Sequence, residues 1–399
     1  MINKDTFCVA PWVAVEIDTN GSLKPCCAYE AGNDDSMSSE FFVDNYTNWR
    51  KEKLQPLRND LLNGVKHPQC RTCWTHEESG NSYSFRNVMN QKFLTEDFDV
   101  SKLENPKFVT LLFGNFCNLK CLQCGSFASS SHEVEQKVHW DKFKNLRYMS
   151  NWVGPHSGNR KWYLTQEFSD LKTQLTTDAE EIFLVGGEPL ITPEAIEFLD
   201  TVAHPENITL SIITNASVLT SKVFDILSKF KLITMTVSLD GIGEHAEYVR
   251  HGCVWSEVDA NIKKILTLPN IATANDGRPG IGIAHTFQHT SYKTLIPILE
   301  YAVEMQLHDV RIEKLLKPSH LSIDSLLPND HAMFVSQLTE LLNNQKFSSH
   351  YKDINFALTV LTNYQFDAEL HKDFVEHVTL LDNIRKTSYD VSIKNSHGV

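Results

Sequence analysis

FGNFCNLKCLQCG, residues 113–125, places Cys117, Cys121 and Cys124 on one short loop. The loop directly follows an apolar run, FVTLLF at 108–113. Three thiolates spaced C-x3-C-x2-C can hold three irons of a 4Fe–4S cube. The fourth iron is then left open to a substrate or cofactor. A structural zinc site takes four ligands, usually as two pairs, and suits this trio less well. Surface thiols without a metal are the bland alternative, and the motifs further along the chain argue against it.

Outward from this loop the chain alternates. FVTLLF (108–113), EIFLV (181–185), ITLSII (208–213), ITMTVS (233–238), GIGIAHTF (280–287) and DVRIEKLL (309–316) have the length and apolar character of buried strands. Between them Thr192–Ala203, Ser221–Phe230, Ser256–Leu268 and Thr294–Met305 have the amphipathic spacing of helices. Thr192-Pro193 and Thr294 suit helix starts. This order predicts an α/β fold with a parallel sheet covered by helices. Six strand–helix units predict an open, partial (β/α)6 barrel over 106–320. Residues 125–178 exceed a normal crossover and form an insertion, either an elaborated packing element or a substrate-facing one. Residues 321–399 read as a helical C-terminal extension.

Four further motifs stand at strand ends. Gly186-Gly187-Glu188-Pro189 follows the second strand, and Thr214-Asn215 ends the third. Ser238-Leu239-Asp240-Gly241 ends the fourth, and Arg250 follows in YVRHG. With the cysteine trio, this series resembles the radical S-adenosylmethionine (SAM) superfamily over about residues 106–316. The resemblance implies a 4Fe–4S cluster on Cys117, Cys121 and Cys124. It further implies SAM contacts at Gly186, Gly187, Glu188, Pro189, Thr214, Asn215, Ser238, Asp240 and Arg250. A carboxylate and exposed carbonyls suit the methionine ammonium, and an arginine fork suits a carboxylate. Ligands at the C-terminal ends of strands fit a barrel of this type. One position departs from the pattern: where the family usually has an aromatic residue before the third cysteine, this chain has Gln123. The implied chemistry is reductive cleavage of SAM to a 5′-deoxyadenosyl radical, which abstracts a substrate hydrogen atom.

A second cysteine set lies upstream. FCVAPWVAVEIDTNGSLKPCC gives Cys8-x12-Gly21-x4-Cys26, and HPQCRTCW supplies Cys70 and Cys73. EID-TNGS-LKP reads as a hairpin. The spacing resembles the auxiliary-cluster module of the twitch and SPASM relatives, placed here before the barrel, over 1–105. The resemblance implies a second 4Fe–4S cluster on Cys8, Cys26, Cys70 and Cys73. A zinc site on the same four residues is the rival, and Cys27 is spare. Residues 1–105 carry only two short apolar runs, so little core is expected there without a metal centre. The segment from Ala31 to Glu40 is rich in Asn, Asp and Ser and is expected to be a loop.

The 399 residues are 41% hydrophobic, 10% aromatic and 22% charged, an ordinary globular balance. Net charge is −13, which disfavours nucleic acid as a main partner. No apolar run is long enough to span a membrane, and the N-terminus lacks a basic-then-apolar signal, so a cytoplasmic enzyme is expected. Reduced thiols in that compartment favour metal ligation over disulfides. A radical SAM enzyme also needs a reducing partner, of flavodoxin or ferredoxin type. An auxiliary cluster suits electron removal from a product radical, so oxidation or crosslinking of a peptide or small polar substrate leads. Two alternatives stand beside it. One is a redox-neutral epimerase with Cys253, three residues after Arg250, as hydrogen donor. The other is a noncatalytic iron–sulfur carrier or sensor.

Overall fold

The computed structural model describes residues 5–30, 43–78, 84–96, 98–144, 146–147 and 161–390. The stretch 31–40, and Tyr148 and Trp152 of the insertion, lie outside the described residues. The strands are β1 (Ala14–Ile17), β2 (Leu23–Lys24), β3 (Phe108–Leu112), β4 (Lys120–Cys121), β5 (Glu181–Val185) and β6 (Thr209–Thr214). They continue with β7 (Leu232–Ser238), β8 (Arg250–His251), β9 (Ile281–Phe287) and β10 (Val310–Lys314). All six apolar runs are strands, and the fold is the mixed α/β class with mostly parallel pairing. The chain divides into two compact units, Met1–Gly114 with Gly158–Ser211, and Asn115–Ser157 with Ile212–Val399.

In the first unit the strand order is β6 (its residues 209–211), β5, β3, β1, β2. β3 pairs in parallel with β5, Phe108 opposite Glu181. β1 pairs in parallel with β3, Ala14 opposite Phe108. The hairpin read at EID-TNGS-LKP is present, with Glu16 opposite Lys24. Gly21 makes its turn at φ +86°, and a Cβ there would meet Trp162 Cβ at 2.8 Å. The N-terminal region is better packed than its short apolar runs suggested. Phe7, Trp49, Leu54, Leu57 and Leu61 are fully buried. The last three recur at helical spacing around Gln55–Leu62, which a search for contiguous runs does not pick up. Trp162 of the insertion packs edge-on to Phe168, ring centroids 4.7 Å apart, so this part of it is core.

In the second unit the order is β10, β9, β7, β6 (its residues 212–214), with β7–β9 and β9–β10 parallel. Helices Ser221–Leu227, Trp255–Ile265 and Leu295–Glu304 intervene, close to their sequence-derived positions. Thr220 caps the first by accepting from the Val223 N–H at 3.2 Å. The short strands β4 and β8 form a separate antiparallel pair, Cys121 opposite Arg250. Three helices, Pro328–Leu341, Tyr351–Thr362 and Ala368–Arg385, make the C-terminal part helical as read. The last of them buries Phe374, Val378 and Leu381 in one cluster with Leu122, Tyr248 and Val249. At ~1.5–3 kcal/mol per large apolar side chain, this is a firm attachment. Among the described residues, no helix is long and apolar enough to cross a membrane.

Gly21→Ala forces a side chain into a left-handed backbone against the Trp162 ring. It is expected to destabilise the protein by roughly 2 kcal/mol, seen as a lower midpoint in thermal unfolding. An unchanged midpoint would show that the hairpin and Trp162 yield without cost.

Candidate active site and metal centres

Cys117 and Cys121 are buried and Cys124 is half-buried. Cys121 and Cys124 hydrogen-bond to one another through their side chains, which favours the thiolate on Cys121. Burial opposes that charge and the Arg250 guanidinium supports it. The Cys124 thiol is pushed up by the same bond, by burial, and by the negative charge of Cys121. Donors surround the sulfurs. The Leu119 N–H lies 3.5 Å from Cys117 Sγ and Asn215 Nδ2 lies 3.9 Å from it. Arg250 Nη1 lies 3.8 Å from Cys121 Sγ.

The helix Ser130–Val138 holds this loop from outside. Ser131 Oγ donates to the Cys117 carbonyl at 2.8 Å, and His132 Nε2 donates to the Cys121 carbonyl at 2.6 Å. Burial pushes His132 down to about 4, so the ring is neutral. On the same helix Glu135 accepts from Arg385 at 2.7 Å and pairs with Lys120 at 3.0 Å. Burial raises the Glu135 carboxyl, but Arg385 and Lys120 outweigh it and bring it to about 2.

Asp240 is fully buried just beyond β7. Its Oδ2 accepts from Arg250 Nη2 at 2.7 Å and from Gln123 Nε2 at 2.5 Å. Its Oδ1 accepts the Thr286 N–H at 2.8 Å. Gln288 Nε2 donates to Gln123 Oε1 at 3.1 Å. Burial disfavours charge on Arg250, yet Asp240, Cys121 and Cys124 together hold the guanidinium protonated. Among the described residues, three buried polar atoms here have no hydrogen-bond partner: Arg250 Nε, His285 Nε2 and Gln288 Oε1. His285 Nδ1 lies 3.2 Å from the Leu239 carbonyl, so Nδ1 carries the proton and Nε2 is an acceptor.

The other expected residues fall as follows. Thr214 Oγ1 and Asn215 Oδ1 accept the Ala216 and Ser217 N–H groups at 3.0 and 2.8 Å and shape the turn after β6. Ser238 ends β7 opposite Ala284 of β9. The Cys253 thiol donates to the Ala246 carbonyl at 3.5 Å, and burial pushes its pKa up to about 12. Gly186 to Pro189 belong to the first unit. Gly186 sits at φ +112° with a would-be Cβ 3.3 Å from the Gly114 carbonyl, so glycine is needed there. Glu188 is buried, and its Oε1 accepts the Leu190 N–H at 3.1 Å.

Residues 111–273 match the radical SAM superfamily by sequence. The chain carries a radical SAM domain. Among curated proteins nothing matches. Among solved structures, the chain is similar to Streptococcus suis SuiB bound to S-adenosylmethionine, at 14% identity and TM-score 0.37, covering 75% of this chain. It spans 60% of that SuiB chain. The anSMEcpe structure with bound AdoMet matches at 17% identity and TM-score 0.41, over 65% of this chain and 67% of that one. The matched segment of the radical SAM domain contains the trio, GGEP, Thr214, Asn215, Ser238, Asp240, Arg250 and Cys253. It excludes the first cysteine set.

That set lies in the first unit. Cys26 is near enough to Cys8, Cys70 and Cys73 for their charges to interact. Burial pushes all four thiols up, helped by repulsion from neighbouring cysteines at Cys8, Cys26 and Cys70 and by Glu77 at Cys73, and Cys70 reaches about 12. Four such thiols ionise together only when a cationic centre offsets them. Arg86 lies beside Cys8 and Cys73, pairs with Glu77, and donates to the Phe7 carbonyl at 2.9 Å. Cys27 is exposed. Among the described residues, no three His, Cys, Asp or Glu side chains converge tightly enough to hold a single metal ion. Both donor sets are all-sulfur, which suits iron–sulfur clusters, and a radical SAM domain implies one such cluster.

Residue reading missed Gln288, His285 and the bracing pair Glu135–Arg385. His285 had a signal, as a polar residue inside the apolar run GIGIAHTF. Glu135 and Arg385 are separated by 250 residues and had none. Glu135→Gln is expected to cost on the order of 2–3 kcal/mol at pH 7. The folded value lies below the ordinary 4.5, so this contribution is full above about pH 4.5 and fades as pH falls through about 2. Thermal unfolding of both proteins at pH 7 checks it; equal midpoints would show that the pair does not brace the loop.

Proposed function

We propose that this radical SAM enzyme carries out net oxidation or crosslinking of a peptide or small polar substrate. A second 4Fe–4S cluster on Cys8, Cys26, Cys70 and Cys73 would take the electron from the product radical. The observation that carries the first half is the trio of sulfurs with Arg250 and Asn215 as donors, inside a radical SAM domain. The mutual proximity of four thiols, Cys8 and Cys73 buried and Cys26 and Cys70 half-buried, supports the second half. When bound, the cluster and SAM together supply a 5′-deoxyadenosyl radical able to abstract a substrate hydrogen atom.

The chain's own residues bind and orient. Cys117, Cys121 and Cys124 hold three irons and leave the fourth open. The Glu188 carboxylate and the Gly186-Gly187 backbone receive the methionine ammonium, a cation suited to them. Arg250 Nε, without a hydrogen-bond partner among the described residues, is available to the methionine carboxylate. Thr214, Asn215 and Ser238, at the ends of β6 and β7, supply polar contacts to the rest of SAM. Pro189 opens the turn that follows Glu188, its carbonyl accepting the Thr192 N–H at 3.3 Å, and the helix Pro193–Asp200 comes next. Gln123 is held by Asp240 and Gln288, so the adenine contact that the family makes with an aromatic residue falls to other groups. A flavodoxin- or ferredoxin-type protein supplies the electron.

Anaerobic reconstitution with iron and sulfide is expected to give about eight irons per chain, and about four once Cys117, Cys121 and Cys124 are replaced by Ala. Incubated with SAM and a strong reductant, the native protein should form 5′-deoxyadenosine and the triple variant none. Failure of the native protein to form it would make the chain a noncatalytic carrier. Zinc in place of the residual four irons would replace the second cluster by a zinc site.

A further inference from the structure

We propose that Arg250 is a positioning residue for the cluster on the trio: held against the Cys121 sulfur, it sets that cluster's charge balance and raises its reduction potential. The inference rests on the reading that Cys117, Cys121 and Cys124 hold a 4Fe–4S cluster.

The contact is fixed by backbone before any side chain is considered. β4 and β8 place Cys121 and Arg250 opposite one another as register partners. The Leu122 N–H donates to the Val249 carbonyl at 2.9 Å and extends that ladder. Gly252 follows at φ +104°, where a Cβ would lie 3.2 Å from the Asn118 carbonyl, so the returning strand hugs the cysteine loop. Arg250 therefore lies beside the thiol as a consequence of strand pairing, and not only of its own rotamer.

The side chain is then locked. Asp240 is fully buried and takes Nη2 at 2.7 Å. Gln123, sitting between two of the three cysteines, donates to the same carboxylate oxygen and is itself held by Gln288. This leaves Nη1 on Cys121 Sγ at 3.8 Å. Asp240, Gln123 and Gln288 thus have a common effect, which is to aim one guanidinium nitrogen at one sulfur. Iron–sulfur potentials respond to net charge nearby, to hydrogen bonds on the sulfurs and to burial. Arg250 supplies the first two in a buried setting where charges are weakly screened. A cation there favours the more negative, reduced cluster. Gln123 belongs to the same device, since its one amide group both donates to Asp240 and accepts from Gln288.

The test is a redox titration of the reconstituted protein without SAM, followed by electron paramagnetic resonance, with iron counted in every sample. Arg250→Gln should retain its iron and move the midpoint of one cluster to a more negative potential, while the other cluster's midpoint stays. Arg250→Lys, which keeps the charge, should lie between Arg250→Gln and the native protein. An unchanged midpoint in Arg250→Gln with iron retained overturns the proposal. If Arg250→Gln loses the trio's iron, Arg250→Lys decides. Iron retained within a small shift of the native potential supports a cationic role, and iron lost again shows a purely structural tie and overturns it. Absence of iron from the trio in the native protein instead refutes the cluster reading itself, so the two failures are told apart.

Discussion

Sulfur anions packed into a protein interior need positive charge and hydrogen-bond donors close by, and much of the second unit is arranged to meet that need. Burial alone would keep Cys121 and Cys124 protonated. The β4–β8 ladder, Asn215, Arg250 and the helix Ser130–Val138 answer this with donors and with carbonyl tethers on both sides of the loop. Arg250 in turn needs a partner, because a lone buried guanidinium is costly. Asp240 supplies it, and Gln123 and Thr286 satisfy the remaining valences of that carboxylate. The C-terminal helix extends the arrangement outward through Arg385 and Glu135.

A parallel solution stands in the first unit. There Arg86 is paired with Glu77 and lies beside Cys8 and Cys73, and it bonds the Phe7 carbonyl next to the first cysteine. Each cysteine set thus has its own buried arginine and its own carboxylate. The arrangement is what two anionic centres, each built within one unit, would require.

Local signals in the sequence account for much of this. Short apolar runs marked β3, β5, β6, β7, β9 and β10, because each of these strands carries buried apolar residues along at least one face. EID-TNGS-LKP marked the β1–β2 hairpin, because its glycine must turn at positive φ. Cysteine spacing marked the two sulfur sets. Long-range pairing left no such trace. Nothing in AVEI at 14–17 announces that β1 joins β3 in parallel. Gln123 and Gln288 are 165 residues apart, and although Gln123 stands inside the cysteine motif, nothing local marks Gln288 as its partner. Arg250 stood out in YVRHG after the fourth strand, but its contact with Cys121 depends on a two-residue ladder too short to read from periodicity.

The central claim is that Cys117, Cys121 and Cys124 hold a cluster with one iron open to SAM. Mössbauer spectroscopy of protein reconstituted with iron-57, before and after SAM is added, tests it most directly. The account predicts that SAM changes the signal of one iron in a single 4Fe–4S cluster and leaves the remaining irons as they were. Unchanged spectra under conditions where SAM is bound would contradict it.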